Sequence, residues 1–152
     1  MRFTTFYIAF FTLLFLVGCA EDNPFGTVYV EGTVTLDGTP IQEVSVTFIP
    51  VDGEQSAGGI TDISGKFTLT TGGSPSGSGA KPGTYNVAFN KIEVEGAGLS
   101  EEEYMAKYKG VTPPVIYHIP QKYGNPAASG IEPITVDTDK ANNKFTFALT
   151  SQ

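Results

Sequence analysis

From Thr27 onward, apolar and polar side chains alternate with a period of two. Val28, Val30, Gly32, Val34 and Leu36 fall on one face, with Thr27, Tyr29, Glu31, Thr33 and Thr35 on the other, the pattern of a half-buried strand. Asp37-Gly38 then marks a turn. A second strand points Val44, Val46 and Phe48 inward and stops at Pro50, and a short third covers Ala57 to Thr61. Asp62 to Gly65 turns the chain into Lys66 to Thr70, with Phe67 and Leu69 inward. Pro82-Gly83 leads into Thr84 to Lys91, where Tyr85, Val87 and Phe89 share a face. Ile134 to Val136 and Lys144 to Thr150 complete the set, the latter with Phe145, Phe147 and Leu149 to one side. Seven short alternating segments, with turn signals at most junctions, predict an all-β domain over residues 27–152: a seven-stranded antiparallel β-sandwich.

Two segments break the alternation. Gly72 to Ala80 (GGSPSGSGA) reads as a mobile surface loop by composition. It lacks the Lys-Ser/Thr and helix of a phosphate cradle, and the G-x-S-x-G of a nucleophile elbow. The insertion Ile92 to Pro133 exceeds the usual loop length of a compact domain. Within it, Ser100 followed by Glu103 forms a capping signature, and Gly110 closes a short helix predicted over Glu101 to Lys109. That helix places Tyr104 and Tyr108 on one face. Tyr117, His118 and Tyr123 follow in an aromatic, proline-rich stretch. Two readings of Tyr104, Tyr108, Tyr117 and Tyr123 stand side by side. They form a stacking platform for a glycan ring or a partner chain, or they pin the insertion against the sandwich and cover an open sheet edge.

The N-terminus is of another kind. Met1-Arg2 precedes an uncharged run, Phe3 to Val17, shorter than the ~20 residues of a permanent membrane-spanning helix. A charged start, a short apolar stretch and a small residue before the break describe a secretory signal peptide over residues 1–18. Leu16-Val17-Gly18-Cys19 resembles the lipobox of bacterial lipoproteins. The resemblance implies cleavage between Gly18 and Cys19, a diacylglyceryl thioether on Cys19, and acylation of its new amino group. Two or three acyl chains satisfy what stable anchoring requires. The other reading is a buried Cys in an ordinary signal or membrane helix. Ala20, rather than Asp, favours the outer membrane under the sorting rule of two-membraned bacteria, and residues 19–26 read as a tether.

Composition removes several classes of function. The chain has 152 residues, 9 basic and 16 acidic, and a formal net charge of −7, which argues against nucleic acid as a partner. A single Cys excludes an intrachain disulfide framework, and a single His, His118, excludes a multi-His metal centre. Asp137 to Asn143 begins like a calcium loop. It departs at Ala141, at Asn142 where Gly is required, and at Ala148 where a bidentate Glu belongs. No local pattern marks a nucleophile or a carboxylate pair, so no catalytic residue, metal or cofactor is assigned.

The turn and strand motifs together carry a family resemblance. Val30-Glu31-Gly32-Thr33-Val34 with Asp37-Gly38-Thr39-Pro40-Ile41, Thr61 to Leu69, and Pro82-Gly83-Thr84-Tyr85-Asn86-Val87 resemble the carboxypeptidase regulatory-like domain. That domain is a transthyretin-like (prealbumin-like) sandwich. Ile119 to Tyr123, Ser129-Gly130-Ile131 and Asn142 to Leu149 resemble a bacterial lipoprotein subgroup of it. The resemblance implies no peptidase activity. It leads to a membrane-anchored, non-enzymatic module of the cell envelope, structural, adhesive or partner-docking. The alternative is a carbohydrate-binding module or accessory subunit using the insertion's tyrosines; a small hydrolase using His118 lacks a supporting constellation.

Overall fold

The computed structural model describes residues 23–152. Its strands are β1 (Glu31–Leu36), β2 (Thr39–Pro40), β3 (Ser45–Pro50), β4 (Ala57–Ile60), β5 (Lys66–Thr68) and β6 (Thr70–Thr71). They continue with β7 (Gly83–Asn90), β8 (Ile92–Val94), β9 (Val115–Tyr117), β10 (Ile134–Val136) and β11 (Lys144–Leu149). Two helices, α1 (Glu101–Tyr108) and α2 (Pro126–Ser129), lie within the 92–133 insertion. Every segment predicted from alternation contains strand, so the domain is mostly β. Four further strands and α2, of two to four residues each, were not picked out from the sequence.

One sheet centres on β1, with β11 along one edge and β2 and β5 along the other. The second runs β10-β7-β3-β4-β6. Side chains from the two sheets meet between them. Phe89 of β7 lies 4.9 Å, centroid to centroid, from Phe147 of β11. Phe48 of β3 stands 5.8 Å from Phe145 and 6.2 Å from Phe67. Edge-on and tilted contacts of this kind suit the ring quadrupoles. Val30, Val34, Val44, Val46 and Leu69 fill the spaces around them, each 0% exposed.

The structure corrects the sequence expectation at four places. The sheets are not wholly antiparallel: β1 and β11 run parallel, Glu31 opposite Lys144 and Leu36 opposite Leu149. Alternation within a strand is blind to the direction of its neighbour, so the sequence pattern carried no sign of this. The first strand begins at Glu31, because Val28 instead forms an isolated bridge to Ala80 and Thr27 is buried. The Lys66–Thr70 segment is two strands, since the chain changes sheets at Leu69: β5 pairs with β1, and β6 with β4.

The fourth correction concerns residues 72–80, which are tied down. Thr71 Oγ1 donates to the Gly79 carbonyl at 3.0 Å, and the Gly77 amide donates to Thr70 Oγ1 at 2.8 Å. Gly79, at φ +92°, lies so close to the bridge that a Cβ would stand 1.8 Å from the Val28 carbonyl oxygen. Gly and Ser supply turn geometry here as well as flexibility.

Candidate functional site

The insertion divides into an arm and an anchor. In the arm, β8 and β9 form a two-stranded antiparallel ribbon that joins neither main sheet. Ile92 faces Tyr117 and Val94 faces Val115. Alternation therefore places these four side chains on one face and Glu93 with Ile116 on the other. Ile92 is 56% exposed and Tyr117 49%, and both valines are exposed too. All four side chains keep a substantial part of their surface in solvent. A lone ribbon is marginal in water, so the arm depends on its two ends.

At the base, the His118 amide donates to the Lys91 carbonyl at 2.9 Å. Lys91 Nζ reaches the Gln42 carbonyl at 2.8 Å and Glu43 at 3.6 Å, fastening the arm to the loop before β3. On the polar face, His118 Nε2 lies 3.1 Å from Glu93 Oε2. At the far end α1 acts as a clasp. Ser100 accepts from the Glu103 amide while the Glu103 carboxylate accepts from the Ser100 amide, a complete capping box. Lys109 closes the helix in the left-handed conformation. Tyr108 Oη donates to the Glu95 carbonyl at 2.8 Å. Its ring lies over Gly96, where a Cβ would come within 2.8 Å of it. Lys107 pairs with Glu95 at 2.8 Å, and that contact raises the lysine's pKa.

The anchor is the segment after the arm. Ile119 is 4% exposed and Tyr123 5%, both part of the main core. The Tyr123 hydroxyl accepts from the Thr150 amide at 2.9 Å and lies 3.2 Å from its Oγ1. Asn125 caps α2 by accepting from the Ala127 amide at 3.1 Å.

The four candidate tyrosines thus do three different things. Tyr104 and Tyr108 meet, ring centroids 4.9 Å apart, but Tyr108 is 9% exposed. Tyr117 belongs to the apolar arm face, and Tyr123 is a core residue. Helical spacing joins the first pair, whereas the other two sit on other parts of the insertion. Residues missed from sequence are Ile92, Val94 and Val115. Their alternation exists, but over two segments of three residues that twenty intervening positions separate.

Gly18 and Cys19, the predicted cleavage and lipidation site, lie outside the described residues. Among the described residues, no helix is long and apolar enough to cross a membrane. No group of three or more His, Cys, Asp or Glu there is placed to hold a metal ion. Asp137 to Asn143 is a self-bonded turn, in which the Asp137 carboxylate accepts from the Asp139 amide at 2.7 Å and Asp139 from the Ala141 amide at 2.9 Å. No family model, curated protein or solved structure matches the chain.

Proposed function

We propose that this chain is a non-enzymatic lipoprotein of the bacterial cell envelope, a transthyretin-like sandwich resembling the carboxypeptidase regulatory-like domain. In this reading the peptide is cut between Gly18 and Cys19, and lipid on Cys19 holds the sandwich at the membrane, the outer membrane by the Ala20 rule. The arm of residues 92–117 docks a protein partner. The observation that carries the docking role is the partly exposed apolar face of Ile92, Val94, Val115 and Tyr117, since apolar side chains exposed together on a folded domain mark an interaction site.

Charge selects the partner. Between residues 91 and 117 stand Glu93, Glu95, Glu101, Glu102 and Glu103 against Lys91, Lys107 and Lys109. An arm with an excess of acidic residues and an apolar face fits a protein patch bearing Lys or Arg and disfavours an anionic lipid surface. A glycan platform has less support here, because Tyr123 and Tyr108 are buried.

The test uses the full-length chain in its native envelope. Cys19→Ser should abolish lipidation and leave the protein soluble or uncleaved; unchanged mass and membrane retention would overturn the anchor. A photo-crosslinking side chain at Val115 should give one discrete protein adduct that Ile92→Asp removes. The same group at Ile63, 85% exposed on a turn of the sandwich, should give none. Equal adducts from both positions would overturn docking by the arm.

A further inference from the structure

The outer face of the β1 sheet carries a second feature, on the opposite sheet from the one that leads into the arm. Register sets its chemistry. Glu31 of β1 lies between Thr68 of β5 and Lys144 of β11, and one pleat further on Thr33 lies between Lys66 and Thr146. Six polar side chains therefore stand in two rows across three strands. Tyr29, 40% exposed, rises at one end, and Ile60, 69% exposed, stands on the β4 side. Together they enclose an open cleft of about 520 Å³, within the ~300–1,000 Å³ of small-ligand sites.

The groups in the cleft are unequally occupied. Glu31 already pairs with Lys144 at 2.9 Å and accepts from Tyr29 Oη at 3.1 Å, which holds it in the charged form. Asp62 accepts from the Ser64 and Lys66 amides at 2.8 and 2.9 Å, so its carboxylate closes its own turn. Among the described residues, Lys66 makes no ion pair, although its charge acts at longer range on Glu31 and Asp62; it lies across the register from Thr33, and Thr68 and Thr146 line the same cleft. The floor is fixed, because Gly32 lies under the Phe67 ring with no room for a side chain.

We propose that this cleft binds an acidic saccharide, a sugar ring bearing a carboxylate. Lys66 takes the carboxylate. The three threonine hydroxyls and the Glu31–Lys144 pair exchange hydrogen bonds with ring hydroxyls. Tyr29 and Ile60 cover the apolar C–H face of the ring, as an amphipathic ring beside fixed polar groups suits. A polyanion such as nucleic acid fits poorly, since Glu31 and Asp62 balance Lys66 and Lys144 and leave no net positive charge. The inference stands apart from the docking arm, and neither depends on the other.

The test is NMR titration of the full-length lipoprotein in a zwitterionic, sugar-free detergent. The probes are glucuronate, galacturonate, glucose and acetate, each to about 10 mM, well above a millimolar Kd. A uronate should give saturable shifts centred on residues 29–33, 66–68 and 144–146, at least about tenfold tighter than glucose or acetate. Lys66→Met should remove that preference, and Thr146→Val should weaken uronate binding about threefold or more, both with unchanged melting temperature. Lys140→Met, which does not line the cleft, should change nothing. No saturable shift with either uronate, acetate binding as tightly, or uronate affinity unmoved by Lys66→Met would each overturn the proposal.

Discussion

Gly32 shows what a single residue decides in this protein. A Cβ there would lie 2.5 Å from the Phe67 ring and 2.8 Å from the Phe145 carbonyl oxygen. The ring cannot retreat, because Phe67 is itself packed against Phe48 and Phe147. Gly32→Ala should therefore destabilise by about 1–3 kcal/mol through overpacking, read as a lower urea midpoint at unchanged slope. Asn143 is the polar counterpart, 0% exposed between β10 and β11. Its Oδ1 accepts from the Asp137 amide at 2.7 Å and its Nδ2 donates to the Asp137 carbonyl at 2.9 Å. Asn143→Ala strands both backbone groups and should cost about 1–3 kcal/mol, measured the same way. A sequence reading places Gly32 on the inward face but does not reveal the ring above it. Nor does it set Asn143 apart, since nothing local distinguishes a buried amide from a solvated one.

Elements were legible in proportion to their length. β3 and β7 bury every position that their alternation assigned inward, and α1 was legible from its cap, because Ser100 and Glu103 satisfy their orphan amides within four residues of chain. The arm was not legible. Its ribbon pairs two three-residue strands across a helix and twenty intervening positions, so no local pattern joins them. The clasp makes a separable prediction. Ser100→Ala removes one half of the capping box and should weaken α1 by about 1 kcal/mol. Hydrogen exchange should quicken at the Glu103 and Tyr104 amides, with the urea midpoint of the sandwich unchanged. A matching global loss would mean that the helix is part of the main cooperative unit. The cleft escaped the sequence reading for another reason: Glu31, Lys66 and Lys144 become neighbours only through strand register, which links distant parts of the chain.

At the scale of the whole molecule, carboxylates set the response to acid. The Lys144 contact holds the Glu31 pKa below its usual value, and the Ser151 and Ser64 contacts do so for Asp37 and Asp62. The Asp139 amide acts likewise on Asp137. A pKa lower in the folded than in the unfolded chain means that the unfolded state binds protons first as pH falls. The stabilisation is complete above the unfolded carboxylate range and disappears as pH drops through the folded values, below about pH 4. The melting temperature should stay flat from about pH 7 to 5 and fall steadily below 4. A melting temperature rising toward pH 3 would contradict this balance of charges. Because these groups lie at the β1–β11 seam and at two turns, the loss should appear as one cooperative transition.

The parallel seam of β1 and β11 also bears on when the protein can become itself. Nearly all of the described chain lies between the two strands, so β1 keeps an open edge until Lys144–Leu149 arrives. A ribosome or a translocation channel delivers Glu31 long before Leu149, and during that interval the sheet is a template without its mate. The architecture thus ties maturation to completion: a partial chain has an adhesive flank, and only a whole one conceals it.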